Sequence, residues 1–72
     1  MVEIFKTDVQ HRIKSEKILA KLNKSFPAYT INFDLDDCDK ILRVESNNGS
    51  IDIESILTIV HESRAEIELI LD

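Results

Sequence analysis

The sequence predicts an α+β fold, a four-stranded antiparallel sheet with two helices on one face, in the order β-α-β-β-α-β. Three observations carry this. Apolar residues recur at helical spacing twice, as Ile18, Leu22 and Phe26 and again as Ile56, Leu57, Ile59 and Val60. Four short stretches, near residues 2–7, 29–35, 41–45 and 65–71, have the alternation or the β-branched and aromatic content of strands. Polar clusters at residues 36–40 and 47–50 separate the second stretch from the third and the third from the second helix.

Each element has its own local cause. Val2 to Thr7 mixes β-branched and aromatic residues and reads as a strand. Asp8 is the expected cap of the helix that follows, because its carboxylate can accept from exposed amides. That helix is expected over residues 11–26, with Leu19 beside its apolar row and lysines opposite. Pro27 ends it, since the proline ring pushes Phe26 out of the α region. Ile31, Phe33 and Leu35 then face one way and Thr30, Asn32 and Asp34 the other, as in a half-buried strand. Leu42 and Val44 share a face in the next strand, and a loop of about four or five residues joins the two as a hairpin.

Asp52 is the expected cap of the second helix, with Glu54 in its first turn, where the helix dipole favours negative charge. Ile51 and Ile56 suit a hydrophobic staple across that start. Glu66 and Glu68 alternate with Ala65, Ile67 and Leu69 in the last strand. Residues 2–35 and 41–71 thus repeat one βαβ-like plan, and right-handed crossovers make the whole a ferredoxin-like split βαβ. In the first strand Val2 and Ile4 point one way and Phe5 the other, so one set lies on the uncovered sheet face. With Ile41 and Ile70 that face can hold an apolar patch suited to self-association.

Composition bounds the function. Seventy-two residues make a single domain, 1–72. One cysteine permits no intrachain disulfide, which favours a reducing, cytoplasmic setting. No apolar run reaches the 18 or so residues of a membrane span, and Met1-Val2-Glu3-Ile4 lacks the basic flank and apolar stretch of a signal peptide. The formal net charge is −5 and is unevenly spread. Residues 1–32 carry six Lys/Arg and three Asp/Glu, and residues 33–72 carry three and eleven. The acidic balance disfavours nucleic acid and anionic membrane as partners. The basic residues Arg12, Lys14, Lys17, Lys21 and Lys24 all fall in the first helix, as a solvated face or a docking face for an acidic partner.

The chain resembles the heavy-metal-associated domain family, the small copper chaperone and metal-transporter domains. Leu22-Asn23-Lys24-Ser25-Phe26-Pro27 is similar to that family's end of helix one. Ile31-Asn32-Phe33-Asp34-Leu35, the acidic loop and Leu42-Arg43-Val44 are similar to its central hairpin, and Ile51-Asp52-Ile53-Glu54-Ser55-Ile56 to the start of its second helix. The resemblance implies the same fold over nearly the whole chain. The family's signature, Gly-Met-x-Cys-x-x-Cys between the first strand and first helix, binds soft metal ions through two thiolates. Here that stretch is Thr7-Asp8-Val9-Gln10-His11-Arg12-Ile13. Gln10 and Ile13 fall where the ligands would be, and none of the family's metal-binding residues carries over.

Little other chemistry is encoded. Cys38, Asp36, Asp37 and His11 are the only metal-ligand candidates, for residual copper or zinc binding. The default for Cys38 is a turn cysteine tucked against the core, and for the acidic run a solvated turn. Asp34, Asp36 and Glu45 match three positions of a calcium loop, but Asp39 stands where that loop needs glycine and Cys38 where it needs an oxygen ligand. His61 suits the C-terminal end of the second helix, where positive charge is favourable. With one glycine there is no phosphate-cradling loop, and no segment concentrates a nucleophile with a base. The expectation is a non-enzymatic binding module without a cofactor, with a protein partner or a second copy as its target. Atypical metal-ion binding is the alternative.

Overall fold

Side-chain alternation decides which face each strand buries. The computed structural model describes residues 1–36, 38–47 and 49–70. Its elements are β1 (Val2–Thr7), α1 (Arg12–Ser25), β2 (Tyr29–Asp34), β3 (Ile41–Ser46), α2 (Ile53–Glu62) and β4 (Ile67–Leu69). The strands form one sheet in the order β2-β3-β1-β4, with every neighbouring pair antiparallel. This is the ferredoxin-like split βαβ. Phe5 lies opposite Leu42 on one side and Leu69 on the other, and Ile31 lies opposite Val44. Phe5, Leu42 and Val44 are fully buried, and Ile31 and Ile67 nearly so.

Both helices cover that face. Ile18 and Leu22 of α1 and Ile56 and Val60 of α2 are fully buried against it, with Leu19, Phe26, Leu57 and Ile59 packed at the margin. Val9, Ile51 and Ala65, all in connections, complete the core. The β2–β3 connection runs over six residues, 35–40, one or two longer than the hairpin pattern suggests. Leu35 leaves the strand early, and its carbonyl accepts from the Lys40 ammonium at 2.9 Å.

One end of α1 differs from expectation. Asp8 does not cap it. His11 occupies the cap position with extended backbone (φ −107°, ψ 136°) and no side-chain hydrogen bond. Asp8 lies four residues before Arg12, too far back to reach the second or third helical amide. Its carboxylate instead accepts from the Glu66 amide at 2.9 Å, and its own amide donates to the Glu66 carbonyl at 3.3 Å. Asp8 therefore clasps the chain leaving β1 to the chain entering β4. At the other end Phe26 leaves the helix before Pro27 (φ −132°, ψ 68°) and stacks on Tyr29 at 5.0 Å.

The ends of α2 follow their sequence signals. Asp52 accepts from the Ser55 amide at 3.2 Å and the Ser55 hydroxyl at 2.7 Å. Ile51 and Ile56 on either side of this cap are both buried. Asp52→Ala is expected to cost about 1 kcal/mol. The check is a lower urea midpoint with an unchanged denaturant slope. Beyond the helix, Arg64 takes a left-handed conformation (φ 62°). The Arg64 amide reaches the His61 carbonyl at 2.9 Å and the Ala65 amide reaches the Val60 carbonyl at 3.3 Å, which makes a Schellman motif. Among the described residues no helix is long and apolar enough to cross a membrane.

Candidate functional site

Three connections meet where β1 ends, and they hold the residues singled out for metal chemistry. The Thr7 amide donates to the carbonyls of Asp39 and Lys40 at 3.2 Å each. The Thr7 hydroxyl donates to the Lys40 carbonyl at 2.6 Å and accepts from the Val9 amide at 3.2 Å. These bonds fix the β2–β3 loop beside the β1–α1 loop. Cys38 is an exposed free thiol in the turn, not tucked against the core as expected, and Asp36 is exposed. The amide of Asp36 bonds the Asp34 carboxylate at 3.2 Å. Asp39 faces Lys6 at 3.8 Å. Asp37 lies outside the described residues.

His11 at the start of α1 and His61 in the last turn of α2 are both exposed at this same end of the sheet. Sharing an end does not assemble a site. Among the described residues no three His, Cys, Asp or Glu side chains are grouped so as to hold a metal. Gln10 and Ile13, at the positions where the family resemblance would put thiolates, are both exposed and offer no soft donor. The calcium-loop pattern does not close either. Asp34 pairs with Ile41 while Glu45 pairs with Thr30, so the two acids stand four residues, or about 13 Å, apart along the strands.

Two surface troughs offer little to a reaction. One, of about 190 Å³, is lined by Lys6, Thr7, Asp8, Glu66, Ile67 and Glu68. The other, of about 360 Å³, lies between the end of α1 and the middle of α2, against Ser25, Phe26, Ser55, Thr58 and Ile59. Two of its three hydroxyls have local partners. Ser55 donates to Asp52 and Thr58 donates to the Glu54 carbonyl at 2.9 Å. No histidine lines either trough, and the one carboxylate bonded to a hydroxyl of the second trough, Asp52, is engaged as the cap of α2.

The uncovered sheet face is the more informative surface. Burial of Phe5 turns Val2 and Ile4 outward, and the register places Ile41 on the same side. Ile70 joins them, its amide donating to the Ile4 carbonyl at 2.9 Å. Val2 is 40% exposed and Ile70 39%, so this is an apolar surface in contact with water. Across the strands one row reads Thr30, Glu45, Val2 and the next Asn32, Arg43, Ile4, Ile70. The third reads Asp34, Ile41, Lys6, Glu68. The Arg43 guanidinium meets the Glu45 carboxylate at 3.3 Å. Lys6 stands between Ile41 and Glu68. Positive and negative groups thus alternate around the aliphatic residues, unlike the acidic molecule as a whole.

The basic face of α1 and the edge at β4 are less free. On α1, the Lys14 ammonium bonds the Arg64 carbonyl at 2.8 Å and Lys21 reaches the Ser63 hydroxyl at 3.3 Å. Both therefore latch α1 to the end of α2. The strand β4 is only three residues long and carries the exposed Glu66 beside it and Glu68 within it, which blunts its edge. The Arg43–Glu45 pairing adds to what the sequence reading holds. Its signal is opposite charges two residues apart in a strand, which puts them on one face. Comparisons of the chain with family models, curated proteins and solved structures gave no match.

Proposed function

We propose that this chain is a non-enzymatic interaction module, a cytoplasmic domain of heavy-metal-associated-like architecture that lacks a thiolate metal site and acts through protein contacts. The observation that carries the proposal is the open sheet face, where Val2, Ile4, Ile41 and Ile70 stand among alternating charges. An apolar surface with a polar surround is what a protein partner can cover. The family link rests on the sequence resemblance alone. Cys38 and Asp36 share the β2–β3 connection and His11 lies in the β1–α1 connection, and among the described residues they form no group that could hold a metal, which favours contact over coordination.

The test is an amide NMR titration with cuprous and zinc ions under reducing conditions. The expected result is no saturable, localised shift at low micromolar metal. Saturation around residues 8–13 or 36–40 would replace this proposal with metal handling.

A further inference from the structure

We infer that the open face of the sheet is a self-complementary interface for a second copy of this chain, with Arg43 and Glu45 exchanged across a two-fold axis. The inference deepens the proposed function by naming the partner, and it rests on the reading of the domain as a contact module.

The register supplies the fit. A closed dimer needs each patch to complement itself about a two-fold axis. Consider such an axis lying across the strands, midway between the row Thr30, Glu45, Val2 and the row Asn32, Arg43, Ile4. Rotation lays each row on the other. Val2 of one copy meets Ile4 of the other, Glu45 meets Arg43, and Thr30 meets Asn32. Across β2, β3 and β1 the two rows then match apolar to apolar, charge to opposite charge and neutral polar to neutral polar, while Ile70, which extends the Arg43 row beyond β1, lies at the margin of the contact. The third row, Asp34, Ile41, Lys6 and Glu68, falls at the rim, where its charges remain in water beside Ile41.

Three further observations favour a second copy. The charges in the two rows, Arg43 and Glu45, cancel, so two molecules that each carry −5 can approach along this face without like charges meeting in it. The guanidinium has five donors, enough to hold its own Glu45 and the other copy's together. The core-facing side of the sheet is already covered by α1 and α2, so face-to-face packing of two open faces adds a second aliphatic layer about 10 Å thick without disturbing the first.

Charge exchange tests this geometry directly. Sedimentation velocity on the wild-type chain, up to about 1 mM, should show a monomer–dimer equilibrium. Arg43→Glu puts two acids against each other at both ends of the contact, and Glu45→Arg puts two arginines there. Each variant alone should dimerise at least about tenfold more weakly than wild type. Mixed one to one, they should recover the wild-type dimer as a heterodimer. Both acids of the Arg43→Glu copy then face both guanidinium groups of the Glu45→Arg copy, so each contact again joins opposite charges. Both positions are at the surface, so circular dichroism should show both variants folded.

A wild-type monomer throughout that range would overturn the inference and leave the contact-module proposal in place for another partner. A dimer indifferent to both substitutions, or a mixture that fails to recover it, would also overturn it. Failure of the contact-module proposal shows separately, in the metal titration.

Discussion

Phe5→Ala is expected to lower the unfolding free energy by about 3–5 kcal/mol. The ring is fully buried at the middle of the sheet, with Leu42 on one flank and Leu69 on the other. It is also the largest of the fully buried side chains. A domain of this size typically has only about 4–11 kcal/mol of stability in total. The substitution therefore removes a large share, and a marginal variant should show an unfolded fraction in buffer. The chain has no tryptophan and one tyrosine, so far-UV circular dichroism in urea is the practical readout. A loss below about 1 kcal/mol, the range of surface changes, would mean that β1 presents its other side to the helices. Val2 and Ile4 would then be core residues, and the candidate interface would vanish with the register.

Thr7→Val should cost about 2–4 kcal/mol although it preserves shape and adds apolar surface. Thr7 is 7% exposed, and its hydroxyl serves two backbone groups, donating to Lys40 and accepting from Val9. Valine leaves the Val9 amide without this partner at a fully buried residue. Removing one member of a buried hydrogen-bonded pair strands the other, which costs more than the bond itself contributes. Thr7→Ser is the control. It keeps both bonds and loses one methyl, for about 1 kcal/mol. Comparable urea midpoints for the valine and serine variants would show that the hydroxyl does not hold the loops together.

The fold is legible in the sequence where local chemistry and tertiary packing agree. The alternation of Ile31 and Phe33, the Asp52 cap and Pro27 after Phe26 each act within a few residues. Asp8 departs from its cap reading because its partner, Glu66, lies 58 positions away in the sequence. The burial of Val9 has no sequence signal, and neither do the partners of the Thr7 hydroxyl, although alternation places Thr7 on the side of Phe5. A connection has no period to read, and a threonine in a strand gives no sign of which carbonyl it will meet. Ser15, also buried, bonds the Arg12 carbonyl inside α1 at 2.7 Å, a satisfaction that spacing alone does not announce. Of the candidate surface, the outward aliphatic residues of β1 follow from the strand's own alternation. The adjacency of Glu45 to Val2 and of Arg43 to Ile4 requires the β1–β3 register, a long-range property.

The sheet order has a consequence for how the chain is made. Residues 2–7 are made before the other strands, yet β1 is an inner strand whose flanks are closed by residues 41–45 and then by residues 67–69. The earliest segment must wait for the latest before its backbone is satisfied on both sides. Until then the nascent chain carries an open hydrogen-bonding margin next to Phe5, the kind of surface that chaperones bind and neighbouring nascent chains can pair with. Completion should therefore be abrupt, with closure by β4 as the step that commits the molecule.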